Sequence, residues 1–216
     1  MSRRFSAVRA AIAAALVLTH VACEPFPPVF PSRVEAPPPP NVTSVSVALS
    51  GGVLSSQQES LWCWAATISN LFSHYGHPVS QARVVSEVYG LPVNARSGDY
   101  ANLARLLNRR WRDDRGVLFT ARLNAALDVV NGVDAITNDQ IRNALRSNRP
   151  LVMGTTTHAM LIVGMTYQDM NGLVGTVRSV RVFDPWPGVG VRDLSASEMA
   201  PAPRGTLMFI ADATIS

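Results

Sequence analysis

The apolar positions between residues 43 and 76 follow two different periods. Between Val45 and Leu49 apolar residues alternate with polar ones, which predicts a short strand that begins near Thr43. From Trp62 to Tyr75 the apolar residues recur at helical spacing, and Gly76 follows as a stop signal. We therefore predict an early strand and then a buried central helix.

The pattern of the remaining chain changes at Pro150. Before it, helical spacing predicts helices at about 80–89, 98–111 and 138–147, and the last begins with a capping box of Thr137 and Gln140. The stretch from Val117 to Leu123 fits either a strand or a loop. Beyond Pro150, branched and aromatic residues predict strands at 151–154, 159–167, 177–183 and 207–211. Helices followed by antiparallel strands predict an α+β fold, with the central helix packed on a C-terminal sheet.

The N-terminal 43 residues have a different composition from the rest. Residues 1–22 combine basic residues with an apolar run too short to span a bilayer, as in a secretory signal peptide. Val21-Ala22-Cys23 resembles a bacterial lipobox, so Cys23 is a candidate for lipidation; ordinary cleavage near Ala22 is the alternative. Residues 23–43 are rich in proline and predict an extended, disordered tether. We therefore predict an exported domain at 44–216. With a lipid anchor it would be a lipoprotein of the periplasm, the outer membrane or the cell surface, and without the anchor it would be secreted.

Charge argues against nucleic acid as a partner. The net charge is +4, and all 19 basic residues are arginine. Three of these arginines precede the apolar run of the signal peptide, so the mature chain is nearly neutral and has no basic stripe. The sequence predicts a monomer without nucleic-acid partners.

Cys63 is the first candidate for chemistry, because it lies at the start of the predicted central helix. Backbone N–H groups and the helix dipole at that position favour a thiolate, the nucleophilic form of cysteine. Gln57, six residues earlier, could donate an N–H to an oxyanion together with the backbone N–H of Cys63. His158 precedes a strongly apolar strand, and Asp184 ends the next one. These residue types fit a nucleophile, a base and a group that orients the base.

Three segments carry a resemblance to a known family: Gln57 to Ala66, which contains Trp62-Cys63-Trp64-Ala65-Ala66, Thr157 to Gly164, and Val182 to Pro187. They resemble the signature regions of papain-like cysteine peptidases, in the bacterial branch of staphopains, bacteriocin-leader peptidases and type III effector proteases of plant pathogens. The resemblance implies the papain-like fold over about residues 45–216 and cleavage of a peptide or protein substrate without a cofactor or metal. It also implies that Gln57 is the oxyanion donor, Cys63 the nucleophile, His158 the base and then the acid, and Asp184 the orienting group.

The chain departs from the plant and lysosomal members of that family. Ser60 stands where they have a disulfide-bonded cysteine, and Asp184 stands where papain has asparagine. We also expect no control by a long inhibitory propeptide.

Other functions and sites remain open at this point. An amine in place of water would make the enzyme a transpeptidase. A cell-wall endopeptidase of the NlpC type and a non-catalytic binding module are further alternatives. Gln58 competes with Gln57 for the oxyanion role. We interpret His74 and His77 as residues of a helix end and not as metal ligands, and 109–115 as a solvated helix end.

Overall fold

The computed structural model describes residues 41–49 and 54–216. The predicted signal peptide, Cys23 and most of the predicted tether lie outside these residues. The helices are α1 (Cys63–His74), α2 (Gln81–Tyr89), α3 (Tyr100–Leu106), α4 (Asn138–Arg146) and α5 (Ala196–Met199). The strands are β1 (Val42–Ser46), β2 (Arg109–Arg112), β3 (Leu118–Asp128), β4 (Val133–Asp134), β5 (Leu151–Thr155), β6 (Ala159–Met170), β7 (Leu173–Asp184), β8 (Gly190–Asp193) and β9 (Leu207–Ile215).

One antiparallel sheet contains all the strands of the described residues. Its order is β2-β3-β9-β5-β6-β7-β8, with β1 paired to β6 and β4 paired to β3. The late strands β5, β6 and β9 lie in the middle, so the C-terminal half of the chain forms the centre of the sheet. The sequence prediction of helices together with an antiparallel sheet is confirmed.

The central strands are buried on both faces. Val152 and Leu161 contribute to one apolar core, whereas Met153 and Met160 contribute to the other. This alternation follows from the two-residue period of a strand. The first core also contains α1, α2 and α3, and the second contains α4. Because both faces are covered, β5 and β6 appear in the sequence as continuous apolar runs.

The central helix α1 begins and ends close to the predicted residues. Trp62 occupies its N-cap position, Tyr75 its C-cap position, and Gly76 follows with φ +80°, a conformation that favours glycine. Its buried face includes Ile68, Leu71 and Phe72, each fully buried. The helix packs against β5 and β6.

The predicted helix at 98–111 is wrong in its last third. Helix α3 ends at Leu106, and residues 109–112 form β2, which pairs with β3. Trp111 is only 3% exposed and packs edge-on against Phe72, while its neighbours in β2 alternate toward solvent. Burial of the Trp111 ring in a hairpin therefore prevailed over local helical spacing. The interpretation of 109–115 as a helix end fails for the same reason.

The other predicted elements differ mainly in their bounds. The ambiguous stretch at 117–123 belongs to the long strand β3, and β1 begins at Val42. The capping box of Thr137 and Gln140 is present at the start of α4. Three short elements, β4, β8 and α5, were not predicted. Across residues 41–49 and 54–216, no helix has the length and apolar character needed to cross a membrane.

Candidate active site

Cys63 is the first residue of α1 and lines a cleft of about 390 Å³. Its thiol is therefore at the end of the helix where backbone N–H groups point outward and negative charge is favoured. The Thr67 hydroxyl donates a hydrogen bond to the Cys63 carbonyl oxygen at 2.8 Å, within the first turn. The position of Cys63 at a helix N-terminus agrees with the sequence prediction.

Two tryptophans beside Cys63 hold a wall of the cleft. The Trp62 ring N–H donates to the Val93 carbonyl oxygen at 2.9 Å, and the Trp64 ring N–H donates to that of Ala95 at 3.0 Å. Both side chains are buried, and Trp64 lines the cleft. Each indole thus contributes apolar area to the core and fixes the segment between α2 and α3 with its polar end.

His158 lies in the short turn between β5 and β6, facing the same cleft. The turn is closed by two hydrogen bonds. The backbone N–H of Thr155 donates to the His158 carbonyl oxygen at 2.7 Å, and the His158 N–H donates to the Thr155 hydroxyl at 3.1 Å. This turn brings the imidazole to the N-terminal end of β6, opposite the first turn of α1.

Asp184 ends β7 and accepts three hydrogen bonds. His158 Nε2 lies 2.6 Å from Oδ1, and the backbone N–H of Trp186 donates to the same oxygen at 2.9 Å. Arg192 Nε donates to Oδ2 at 2.9 Å. Asp184 is 5% exposed, so the side chain is buried but all its donors are in place.

The His158–Asp184 pair is strongly polarised. Burial opposes the charged form of His158, but hydrogen bonds with Asp184 and Cys63 outweigh burial and raise its pKa from 6.5 to about 9. Burial likewise opposes the charged form of Asp184. Hydrogen bonds from His158 and the Trp186 N–H outweigh that effect and lower the pKa of Asp184 from 3.8 to about 2. At neutral pH the pair is therefore an imidazolium and a carboxylate.

The geometry leaves one ring nitrogen of His158 for chemistry. Nε2 is committed to Asp184, so Nδ1 is the nitrogen that can exchange a proton with a group in the cleft. Cys63 lines the same cleft, and its thiol contributes to the raised pKa of His158. The structure thus brings together three of the four predicted site residues.

Gln57 lies next to this group, but its amide does not point into the cleft. Its Nε2 donates to the carbonyl oxygens of Glu59 at 2.9 Å and Ser60 at 3.1 Å. Its Oε1 is buried and has no hydrogen-bond partner among the described residues. Its backbone N–H donates to the Pro185 carbonyl oxygen at 2.7 Å, which ties this loop to the turn after Asp184. The oxyanion role of Gln57 stays a prediction, and it requires the amide to rotate.

The competing residue Gln58 is exposed, whereas Gln57 is 6% exposed. Trp186, half exposed, lies at the cleft with its ring 6.3 Å from the His158 ring, in an edge-to-face arrangement. The indole ring therefore lies beside the imidazole at the cleft.

The two other histidines of the described residues serve the scaffold. His74 Nε2 lies 2.9 Å from the Asn148 carbonyl oxygen, and His77 Nδ1 lies 3.4 Å from Asp113 Oδ2. Within residues 41–49 and 54–216, no group of three or more acidic, histidine or cysteine side chains is arranged to hold a metal ion.

Sequence reasoning missed two residues of this site. Tyr100, the first residue of α3, lines the cleft and donates its hydroxyl to the Thr155 carbonyl oxygen. Arg192 holds the second oxygen of Asp184. No motif marks Tyr100. Arg192 could have been found by predicting β8 as the return strand of a hairpin after the turn Pro185-Trp186-Pro187-Gly188.

Comparison with protein families supplies the identity that this geometry suggests. Residues 47–199 match the family described as papain-like cysteine protease AvrRpt2, which covers well over half of the 216 residues. A search of curated proteins found no match. The match confirms the resemblance drawn from the sequence. The chain belongs to this papain-like family and is a cysteine-type peptidase that acts on protein substrates.

Proposed function

We propose that this peptidase cleaves peptide bonds through a thioester intermediate, with Cys63 as nucleophile. The Cys63 thiolate attacks the substrate carbonyl carbon, and protonated His158 gives the proton on Nδ1 to the leaving amine. Water then attacks the thioester, and His158 takes one of its protons. The thiolate is released, which restores the starting state.

The observation that carries this proposal is the 2.6 Å hydrogen bond between His158 and Asp184 in the cleft that Cys63 lines. Asp184 fixes the ring orientation and stabilises the imidazolium. The backbone N–H of Cys63 and the side chain of Gln57 are the proposed donors to the oxyanion. For Gln57 this means exchanging a bond to Glu59 or Ser60 for one to the substrate.

Two measurements test the triad in the full chain. The first is hydrolysis of a fluorescently labelled casein and a peptide library. The second is the rate of Cys63 alkylation by iodoacetate at pH 6, followed by intact mass. We expect Cys63→Ala to abolish hydrolysis and His158→Ala to suppress both readouts by at least a hundredfold.

His77→Ala is the matched control, because His77 also contacts a buried aspartate but lies outside the cleft. It should lower stability and leave both readouts unchanged. Equal alkylation rates in the parent and in His158→Ala would refute the Cys–His pair and favour a non-catalytic binding module. Adding glycinamide to the reaction distinguishes hydrolase from transpeptidase, because a transpeptidase would yield the amide adduct in preference to the acid.

We further propose that the chain is exported and anchored through a lipid on Cys23. This proposal is carried by the signal-like residues 1–22, the Val21-Ala22-Cys23 sequence and the prolines that follow. Metabolic labelling with an alkyne fatty acid in a bacterial host tests it. We expect label on the parent chain and none on Cys23→Ser; label-free parent protein in the soluble periplasmic fraction would instead indicate ordinary signal cleavage.

A further inference from the structure

Arg192 lies between the buried carboxylate of Asp184 and a second carboxylate. Its Nε donates to Asp184 Oδ2 at 2.9 Å, and its terminal nitrogens reach Glu198 at 2.7 and 3.1 Å. The register of β7 and β8 explains this position, because Arg192 pairs with Val182 and Gly190 pairs with Asp184. Arg192 and Asp184 are thus diagonal neighbours on one face of the hairpin.

Both ends of this arrangement are fixed. Glu198 forms a capping box with Ser195 at the start of α5, so its carboxylate is anchored before it meets Arg192. At the other end, Oδ1 of Asp184 is occupied by His158 Nε2 and the Trp186 N–H. Charges alternate along the row His158, Asp184, Arg192 and Glu198. Each carboxylate oxygen of Asp184 has at least one donor, which fixes the plane of the group.

The guanidinium beside Asp184 explains how this chain can have aspartate where papain has asparagine. Papain has a neutral asparagine at the third position, and this chain has an ionised aspartate. An unbalanced buried carboxylate would bind the imidazolium so strongly that His158 would release its proton reluctantly to a leaving group. A guanidinium on the opposite oxygen reduces that attraction while keeping the carboxylate in place.

We propose that Arg192 is a positioning residue of the active site: it orients Asp184 and offsets part of its negative charge, so that Asp184 holds the His158 ring in place without binding its proton too tightly. The inference rests on the proposed function of Cys63, His158 and Asp184. Glu198 in turn orients Arg192 and limits its charge.

The other charged and titratable groups around His158 are few. Cys63 faces it from α1, Asp184 from the end of β7 and Arg96 from the cleft wall between α2 and α3. Tyr100 of α3 lies across the cleft; burial raises its pKa to about 12, so it is neutral in the range tested. Arg192 and Glu198 reach His158 through Asp184.

The test measures Cys63 alkylation by iodoacetate against pH in the full chain. Iodoacetate is an anion and reacts fastest while His158 is protonated, so the alkaline limb of the profile reports deprotonation of His158. We expect Arg192→Gln to move this limb upward by roughly half to one pH unit, because Asp184 then holds the proton more tightly. We expect kcat/KM for the casein or peptide substrate to fall about tenfold, mainly through kcat.

Two further variants distinguish this role from that of a purely structural ion pair. Glu198→Gln keeps the capping box, because glutamine serves at that position, but it increases the net positive charge beside Asp184. The alkaline limb should therefore move downward, opposite to the shift expected for Arg192→Gln.

In Asp184→Asn the amide NH₂ group faces the Arg192 N–H groups, so two donors oppose each other. Adding Arg192→Gln to that variant removes the conflict and should raise kcat/KM.

Arg181→Gln is the matched control, since Arg181 pairs with Asp193 across the same two strands but is exposed. It should leave the profile unchanged. If Arg192→Gln and Glu198→Gln both lower the melting temperature without moving the limb, the proposal is overturned, and Arg192 is only a structural residue. If Arg192→Gln does not fold, the downward shift in Glu198→Gln still decides the question. A parent profile unaffected by His158→Ala would instead overturn the triad, and the role of Arg192 with it.

Discussion

Replacement of Asp184 by asparagine tests the electrostatics of the site most directly. Asparagine keeps the shape of the side chain and an oxygen that can accept from His158 Nε2, but it removes the negative charge. The pKa of His158 is raised from 6.5 to about 9, by Asp184 and Cys63 against the opposing effect of burial. Asp184 contributes both a hydrogen bond and a charge to this increase, so loss of its charge should lower the pKa of His158.

The expected magnitude follows from the share that Asp184 carries. Cys63 supplies part of the increase, and the partly exposed imidazole is screened by solvent, so we assign to the carboxylate charge about one pH unit. The alkaline limb of iodoacetate alkylation should therefore move down by about one unit from near pH 9. Hydrolysis should lose about ten- to a hundredfold in kcat at its optimum, because the ring is also held less firmly.

Asp113→Asn is the matched control for this experiment. Asp113 is 1% exposed and contacts His77, so the chain contains a second buried aspartate beside a histidine, outside the cleft. Asp113 also accepts the backbone N–H groups of Arg115 and Val117, so the control should lower the free energy of unfolding. It should not move the alkylation profile. An alkaline limb that stays near pH 9 in Asp184→Asn would refute the view that this carboxylate holds the proton on His158.

Three other predictions address packing, the oxyanion and stability. A Cβ at Gly154 would clash with the Tyr100 ring, which is held by its stacking on Phe209 and by its hydroxyl hydrogen bond. Gly154→Ala should therefore cost about 1–3 kcal/mol in urea unfolding, and the same change should cost less in a Tyr100→Ala background. Gln57→Glu should lower kcat about a hundredfold while the rate of Cys63 alkylation is retained. If the alkylation rate falls as much as kcat does, Gln57 has only a structural role. The pKa of His158 is raised in the folded state, so the stability that His158 contributes is complete below pH 6.5 and is lost as the pH rises to about 9. The pKa of Asp184 is lowered, so the stability that Asp184 contributes is lost as the pH falls from 3.8 to about 2. Thermal melting should therefore show highest stability at about pH 4–6.5, with roughly 1–2 kcal/mol lost by pH 9; a melting temperature that rises between pH 6.5 and 9 would contradict this.

The strongest periodic patterns gave the most accurate sequence predictions. The helix from Cys63 and the capping box at Thr137 depend on residues within one or two turns, so their signals are complete in the local sequence. The strand β6 was recognised for a similar reason, although it extends to Met170. The residues 109–112 were assigned wrongly because their local spacing suits a helix. Pairing with β3 and burial of Trp111, both set by distant residues, decided for a strand.

The candidate site divides in the same way. Cys63, His158 and Asp184 became candidates because their residue types have characteristic chemistry and lie at element ends that the sequence reveals. The hydrogen bonds around these residues could not be predicted from the sequence. Arg192 reaches Asp184 through the register of a hairpin whose second strand was not predicted. Gln57 was predicted as a candidate, but its two hydrogen bonds to backbone carbonyl groups were not.

By itself, the sequence determined the α+β class, the central helix and the choice of Cys63, His158 and Asp184 as the proposed nucleophile, base and orienting group. These depend on local periodicity and on the intrinsic chemistry of the side chains. The tertiary structure alone decided the order of strands in the sheet, the joining of three distant residues at one cleft, and the row of charges from His158 to Glu198. Strand register and packing bring together residues far apart in the chain, and hydrogen bonds at 2.6–2.9 Å depend on that register rather than on any pattern along the sequence.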